Sequence, residues 1–205
     1  IPFFHQATRA GEGWAQPIDI GEGCGEIRGR TVGLVGFGAV PSLLAPILSA
    51  LGARVIYSEV IDKPDVPYER FEVDDLLAEA DIVITAAQIP GRQSPTLVTE
   101  AMVDAMKPGS IIMDLAAENG GNCELTQKDQ IIEYKQVTID GTSNIPGTMP
   151  VHASELYSKN IAAFLTYMVK DGELNLDLED EIISGAMFTH KGEITHEPTR
   201  EALNT

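Results

Sequence analysis

Continuous apolar runs alternate along this chain with segments whose apolar residues recur at helical spacing. The first run, Thr31–Val35, is β-branched and apolar throughout, which is typical of a strand buried on both faces of a parallel sheet. Further strands are predicted at Arg54–Ser58, Asp81–Ala86, Ser110–Leu115 and Val137–Asp140. Helices are predicted between them at Val40–Leu51, Asp74–Ala80 and Thr99–Gly109. This alternation predicts the α/β class, with a doubly wound parallel sheet of Rossmann type.

Local signals refine the predicted helices. The apolar face of the first helix is expected to comprise Leu44, Ile47, Leu48 and Leu51. Asp74 or Asp75 is expected to cap the second helix, and Thr99 the third, which Pro108-Gly109 should end.

The end of the chain carries one more helix and a charged tail. Ser154–Met168 is predicted to be amphipathic, and its apolar stripe comprises Tyr157, Ile161, Phe164, Leu165 and Met168. A short hairpin is expected around Lys191-Gly192. The predicted organisation is therefore a glycine-rich N-terminal arm at 1–30, a Rossmann domain at 31–150, and a helix with a C-terminal tail at 151–205.

A glycine turn follows the first strand. Gly36 permits a tight turn, and Gly38 lets a ligand's diphosphate approach the free N–H groups at the start of the helix, which include those of Ala39 and Val40. Pro41 replaces the third glycine of the dinucleotide-binding fingerprint. Because N–H groups in the first helical turn have no intrahelical partner, this proline weakens the fingerprint without abolishing it.

An acidic residue follows the second strand at the spacing that the fingerprint requires. Glu59 lies 21 residues beyond Gly38, where a carboxylate accepts hydrogen bonds from the ribose hydroxyls of NAD and repels the 2′-phosphate of NADP. The turn and Glu59 therefore predict NAD as the cofactor. The alternative is a glycine turn that only connects strand and helix, with Glu59 in solvent.

Composition narrows the partners. The formal net charge of −17 disfavours nucleic acid and anionic lipid as partners. Cys24 and Cys123 lie far apart in the sequence, lack metal-binding spacing and form no C-x-x-C pattern, so reduced thiols in a cytoplasmic location, without a metal, are expected. No apolar run is long enough for membrane insertion, and no secretory signal is evident. The start at Ile1, without Met, suggests a fragment or a processed chain.

Two family resemblances add to this interpretation. The segments "GEIRGRTVGLVGFGAVPSLLAPILSALGARVIYSEV" and "VDDLLAEADIVI" resemble the cofactor domain of D-2-hydroxyacid dehydrogenases. The segments "DLAAENGGN" and "IPG…P…ASELYSKN", within about residues 85–198, are similar to the NAD(H)-binding component, or alpha subunit, of proton-translocating NAD(P) transhydrogenase. Alanine dehydrogenase is a more distant fit. The chain looks like a hybrid of the first two families.

The transhydrogenase resemblance implies further cofactor contacts at the carboxyl ends of the fourth and fifth strands. They are Ala87, Gln88, Ile89, Pro90, Gly91, Asp114, Leu115, Ala116, Glu118, Asn119 and Gly120. Asn119 and Asn122 are candidates to hydrogen-bond the carboxamide or ribose of the cofactor. The alternative for "DLAAENGGN" is a polar turn without a ligand.

The same resemblance implies direct hydride transfer to NADP on a partner component. That reaction needs two apposed nicotinamides and no side-chain acid or base, so no catalytic residue is expected. The chain would be an oxidoreductase component that is inactive alone, since the family's preceding domain and mobile loop are not evident here. The apolar stripe of the last helix predicts a homodimer.

Two alternatives remain open. The first is the cofactor domain of a D-2-hydroxyacid dehydrogenase, in which His152 would be the acid–base candidate and the usual carboxylate-binding arginine is lacking. The second is a non-catalytic NAD-binding module.

Overall fold

The computed structural model describes residues 26–61, 63–89 and 92–203. Most of the expected N-terminal arm, with Cys24, and the candidate cofactor residues Pro90 and Gly91 lie outside the described residues. The chain divides into two compact units, 1–144 and 145–205, each of which is described by itself.

The first unit is built on a mostly parallel sheet of seven strands, in the order β3-β2-β1-β4-β5-β7-β6, where only β6 runs antiparallel to its neighbour. The strands are β1 Thr31–Val35, β2 Arg54–Ser58, β3 Glu69–Arg70, β4 Ile82–Thr85, β5 Ile111–Asp114, β6 Ile131–Tyr134 and β7 Val137–Asp140. This is the doubly wound Rossmann architecture that the sequence predicts. The strand order reverses between β1 and β4, which is where open α/β sheets bind ligands.

Helices flank the sheet in this unit. They are α1 Ala39–Ala50, α2 Val73–Glu79 and α3 Glu100–Val103, with a short 3₁₀ helix at Ala117–Asn119. Alternate residues of β1 enter two different apolar clusters, because successive strand residues point to opposite faces. Val32 and Leu34 pack in the cluster that includes Ala45 and Leu48 of α1, whereas Val35 packs in the cluster that includes Leu76 of α2.

Several local predictions need correction. The buried residues of α1 are Pro41, Ala45 and Leu48, whereas Ile47 and Leu51 of the predicted face are exposed, at 57% and 50%. These three buried residues follow one another at spacings of four and three. The small side chains of Pro41 and Ala45 let the helix approach the sheet closely.

Helix ends also differ from prediction. The N-cap of α2 is Glu72 rather than an aspartate, and its side chain makes no capping bond. Helix α3 is capped by Thr99 as predicted but ends at Val103, because the next turns close through bonds to the third preceding residue, from Ala105 N–H to the Met102 carbonyl and onward.

The second unit is mostly helical, and its hairpins are short. Its helices are α4 Ile145–Thr148, α5 Pro150–Met168, α6 Glu181–Ala186 and α7 Glu197–Leu203. One hairpin pairs β8 Val169–Lys170 with β9 Glu173–Leu174, and the other pairs β10 Thr189–His190 with β11 Glu193–Ile194. The second hairpin turns at Lys191-Gly192, as predicted. Helix α5 begins four residues before the prediction, and none of its residues is buried.

Within the described ranges, no helix is both long enough and apolar enough to cross a membrane.

Gly33 provides a test of the packing between β1 and α2. A Cβ at this position would lie 2.4 Å from Leu76 Cδ2 and 3.2 Å from Ala80 Cβ, and both side chains are fully buried. We expect Gly33→Ala to lower the free energy of unfolding by about 1–3 kcal/mol, measured by urea denaturation. Gly38→Ser is the control, since a Cβ there meets no atom within 4 Å. Equal stability of the two variants would contradict the packing.

Candidate dinucleotide site

The glycine turn has the backbone geometry that the sequence predicts. Gly36 has φ +84°, a left-handed conformation that favours glycine. Gly38 is the N-cap of α1, with no side-chain cap. The first helical bond runs from Ser42 N–H to the Gly38 carbonyl, so Pro41 breaks no bond of the helix, as predicted.

Three N–H groups at this helix start are open to a ligand. Gly38, Ala39 and Val40 are exposed, and no acceptor among the described residues receives a hydrogen bond from their N–H groups. A helix N-terminus with free N–H groups attracts anions. A Cβ at Gly38 would enter open space, so the turn leaves room for a group that approaches the backbone closely.

Glu59 lies beside the turn. Its Oε2 accepts a hydrogen bond from Phe37 N–H at 2.9 Å, and its Oε1 accepts one from Val60 N–H at 2.8 Å. Partial burial raises the pKa of this carboxyl, but the two N–H groups and the Lys63 ammonium outweigh it, so the pKa lies below its ordinary value. Glu59 is therefore a carboxylate at neutral pH, available as a hydrogen-bond acceptor.

One cavity joins the turn, Glu59 and the loop after β4. It has a volume of about 460 Å³ and is lined by Val35, Gly36, Gly38, Ser58, Glu59, Val60, Val73, Ala86, Ala87, Gln88, Pro95 and Leu97. Five predicted site residues thus meet at the carboxyl edge of the sheet: Gly36, Gly38, Glu59, Ala87 and Gln88.

A second, open cavity of about 540 Å³ lies by the loop after β5. It is lined by Arg92, Gln93, Asn119 and Gly120, so two more of the predicted site residues meet there. Glu118 and Ile89 are exposed, but neither of them lines the first or the second cavity.

Asp114 has a different place from the one predicted. Its side chain is buried, at 1% exposure, and its two oxygens accept five hydrogen bonds, from Thr85 Oγ1, Ala116 N–H, Asn122 N–H, Cys123 N–H and Thr126 Oγ1. The predicted ligand contact is therefore not open to this carboxylate. It holds together the segment that follows β5.

Asn122 links the loops after β4 and β5. Its amide nitrogen donates to the carbonyls of Ala87 and Pro95, both at 2.8 Å, and its Oδ1 accepts from Ala87 N–H at 3.0 Å. The side chain is fully buried, so it is not open to the carboxamide or ribose contact for which the sequence makes it a candidate. Gln88 reinforces the link by donating to the Leu115 carbonyl at 2.8 Å.

The two glycines after the 3₁₀ helix make this arrangement possible. Gly120 and Gly121 have φ +99° and +80°. A Cβ on Gly121 would lie 2.7 Å from Asp114 Oδ2, so only glycine lets the turn close over that carboxylate. The sequence shows the glycine pair but gives no sign that it packs against Asp114.

The chain matches one protein family over most of its length. Residues 27–197 match the family described as "Alanine dehydrogenase/PNT, C-terminal domain". That range includes both halves that the sequence relates to separate families, so one family accounts for them both.

Individual relatives agree with this match. The chain is 52% identical over 127 residues to NAD(P) transhydrogenase subunit alpha of Cereibacter sphaeroides, covering 60% of this chain and 24% of the relative. It is 44% identical over 118 residues to NAD(P) transhydrogenase subunit alpha of Haemophilus influenzae, covering 56% of this chain and 23% of the relative. The matched segment thus spans about a quarter of the length of each of these relatives.

The fold has a solved counterpart. The crystal structure of transhydrogenase from Sinorhizobium meliloti superposes with a TM-score of 0.70 at 33% identity, covering 83% of this chain and 51% of that one.

Proposed function

This chain belongs to the family of the alanine dehydrogenase/PNT C-terminal domain, and from that premise we propose that it is the NAD(H)-binding domain of a transhydrogenase-like oxidoreductase. It would present a nicotinamide for direct hydride transfer to NADP on a partner component. The observation that carries the proposal is that one cavity joins Gly36 and Gly38 of the turn, Glu59 and the loop after β4. A transhydrogenase relative and a transhydrogenase structure support the same reaction class.

The residues present fit a dinucleotide. The N–H groups of Gly38, Ala39 and Val40 would hold its diphosphate, and Glu59 would accept hydrogen bonds from the hydroxyls of its adenosine ribose. When bound, the nicotinamide ring supplies or accepts a hydride. The chain's own contribution is to bind and orient it, which requires no general acid or base from these residues.

The remaining residues implied by the resemblance complete the proposal. Ile89, Pro90 and Gly91 after β4, and the backbone of Leu115 and Ala116 after β5, would border the nicotinamide half of the ligand, together with Glu118, Asn119 and Gly120. Asp114 would act indirectly, by fixing that backbone.

Further expectations from the sequence belong to the same proposal. The apolar stripe of α5, with Tyr157 68% and Leu165 51% exposed, supports self-association into a homodimer. A cytoplasmic location and an NADP-binding partner component would follow from the transhydrogenase role. A non-catalytic NAD-binding module is the second candidate, and it would show binding without hydride transfer in any mixture.

Glu59 tests the preference for NAD. We expect the chain to bind NADH more tightly than NADPH, because the carboxylate attracts ribose hydroxyls and repels a 2′-phosphate. Glu59→Gln should weaken NADH binding by about tenfold, through loss of charge-assisted hydrogen bonds, and should narrow the preference over NADPH. Calorimetric titration with both dinucleotides measures this.

Glu69→Gln is the matched control for Glu59→Gln. Glu69 is an exposed glutamate of the same sheet, paired with Arg54 at 2.8 Å, and it does not line the cavity. Its removal makes the same change in net charge and should leave both affinities unchanged. A ratio of NADH to NADPH affinity that does not respond to Glu59→Gln would contradict the assigned role.

A further inference from the structure

Phe37 lies between the two glycines of the turn, and contacts with other segments fix its side chain. Flanking glycines would ordinarily leave such a residue free to reorient. Instead its side chain is buried, at 3% exposure. Its ring lies 4.7 Å from the ring of Tyr57 and 6.2 Å from that of Tyr68, measured between centroids. The aromatic contacts therefore fix the side chain of Phe37, although the glycines on either side leave its backbone flexible.

Side chains that follow β2 hold both polar backbone groups of Phe37. The N–H donates to Glu59 Oε2 at 2.9 Å, and the carbonyl accepts from Lys63 Nζ at 2.5 Å. Lys63 also lies close enough to Glu59 for a favourable charge interaction. Two side chains from the segment after β2 thus hold the peptide groups on both sides of Phe37.

The bond from Lys63 has a consequence for Gly38. The described residues contain no cis peptide bond, and in a planar trans peptide the carbonyl of one residue points away from the N–H of the next. A Phe37 carbonyl turned towards Lys63 therefore turns the Gly38 N–H the other way. That N–H is one of the groups without an acceptor among the described residues.

We propose that Lys63 is a positioning residue for the diphosphate: its ammonium holds the peptide between Phe37 and Gly38 in the orientation that presents the Gly38 N–H to the ligand. This inference rests on the proposed function, since it concerns the same site. Lys63 acts through the turn and does not contact the ligand. It restricts the conformations of the peptide between Phe37 and Gly38 before the ligand binds, which lowers the entropy cost of binding. Simple attraction of an anion by the charge of Lys63 is the competing explanation.

The test compares Lys63→Met with Lys107→Met. Lys107 Nζ donates to a backbone carbonyl, that of Glu79, at 2.7 Å, so the control removes the same charge and the same kind of bond away from the cavity. ADP-ribose and adenosine are titrated calorimetrically against the full chain at low salt and at about 1 M salt, where exposed charges are screened. Thermal unfolding is measured in parallel.

We expect Lys63→Met to weaken ADP-ribose binding by about tenfold at both salt concentrations. Adenosine, which lacks the diphosphate, should bind Lys63→Met and the unaltered chain equally, and Lys107→Met should leave both affinities unchanged. Lys63→Arg, which keeps a charged donor, should stay within about threefold of the unaltered chain.

Each other result overturns the positioning role. A loss that disappears at high salt assigns Lys63 to attraction alone. An equal loss of adenosine affinity, or a failure of Lys63→Arg to restore binding, indicates general damage to the unit. Unchanged ADP-ribose affinity in Lys63→Met removes the inference and leaves the proposed function standing. Failure of the unaltered chain to bind ADP-ribose removes the proposed function itself.

Discussion

Gly38→Asp should abolish dinucleotide binding without unfolding the chain. A Cβ at Gly38 meets no atom within 4 Å, so the new side chain extends into the space that the proposal gives to the diphosphate. A carboxylate there repels the diphosphate charge, and we expect NADH affinity to fall by about a hundredfold or more. Calorimetric titration with NADH is the measurement.

The same substitution should preserve or raise stability, which makes the binding result specific. Gly38 is the N-cap of α1, in an extended conformation with φ −80° that any residue can adopt. Aspartate is among the preferred N-cap residues, and a negative charge there interacts favourably with the helix dipole. The free energy of unfolding should rise by a few tenths of a kcal/mol from capping, and by up to about 1 kcal/mol with the dipole interaction, measured by urea denaturation.

Gly38→Asn separates charge from bulk. Asparagine caps helices as well as aspartate does and has nearly the same size. We expect it to weaken NADH binding less than Gly38→Asp does, and the difference measures the repulsion. NADH affinity in Gly38→Asp equal to that of the unaltered chain would show that the diphosphate does not lie on this turn.

Asp114→Asn should cause the largest loss of stability, about 3–5 kcal/mol in the free energy of unfolding. Each carboxylate oxygen of Asp114 accepts at least one backbone N–H, from Ala116 on one side and from Asn122 and Cys123 on the other. An asparagine amide in either orientation turns its NH₂ group towards a backbone donor, at a site with almost no access to water. Urea denaturation followed by circular dichroism measures the loss.

Asp104→Asn is the control for Asp114→Asn. Asp104 is a surface aspartate bonded to the Lys135 ammonium at 2.7 Å, and exposed ion pairs contribute little. Its replacement should change the free energy of unfolding by less than about 1 kcal/mol. Similar losses in the two variants would show that the Asp114 network does not hold the segment after β5.

The sequence predicts the parts of the fold that depend on local pattern. Strands β1, β2 and β7 have the predicted bounds, because each is a short apolar run between clear turn signals. The hairpin at Lys191-Gly192 follows from its glycine, which takes φ +87°. The glycine turn and Glu59 meet as predicted, since the carboxyl ends of neighbouring parallel strands lie at one edge of the sheet.

The sequence pattern does not predict strand β6, because the turn that joins it to β7 contains no glycine. Strand β6 pairs with β7 through a two-residue turn at Lys135 and Gln136, whose φ angles are +47° and +66°. Such turns usually contain Asn-Gly or Asp-Gly, and Lys-Gln gives no such signal. The hairpin of β8 and β9 does turn at Asp171-Gly172, so its signal is present in the sequence.

The supporting residues of the site could not be predicted from spacing. Phe37 occupies a fingerprint position that any residue can fill, and its burial depends on Tyr57 and Tyr68, which lie in other segments. Lys63 reaches the turn only because the chain after β2 folds back to it. The sequence makes Asp114 and Asn122 candidates for ligand contact in a polar loop. Only the structure shows that both are buried and bond to backbone groups.

The most direct test of the central claim is backbone amide NMR of the chain titrated with ADP-ribose. The account predicts saturable shifts of the amides of Gly38, Ala39 and Val40, with a second group at Phe37 and Val60, whose N–H groups would then share the Glu59 carboxylate with the ribose. Shifts centred elsewhere, or no shifts at about millimolar ADP-ribose, would contradict the claim that this turn and Glu59 form a dinucleotide site.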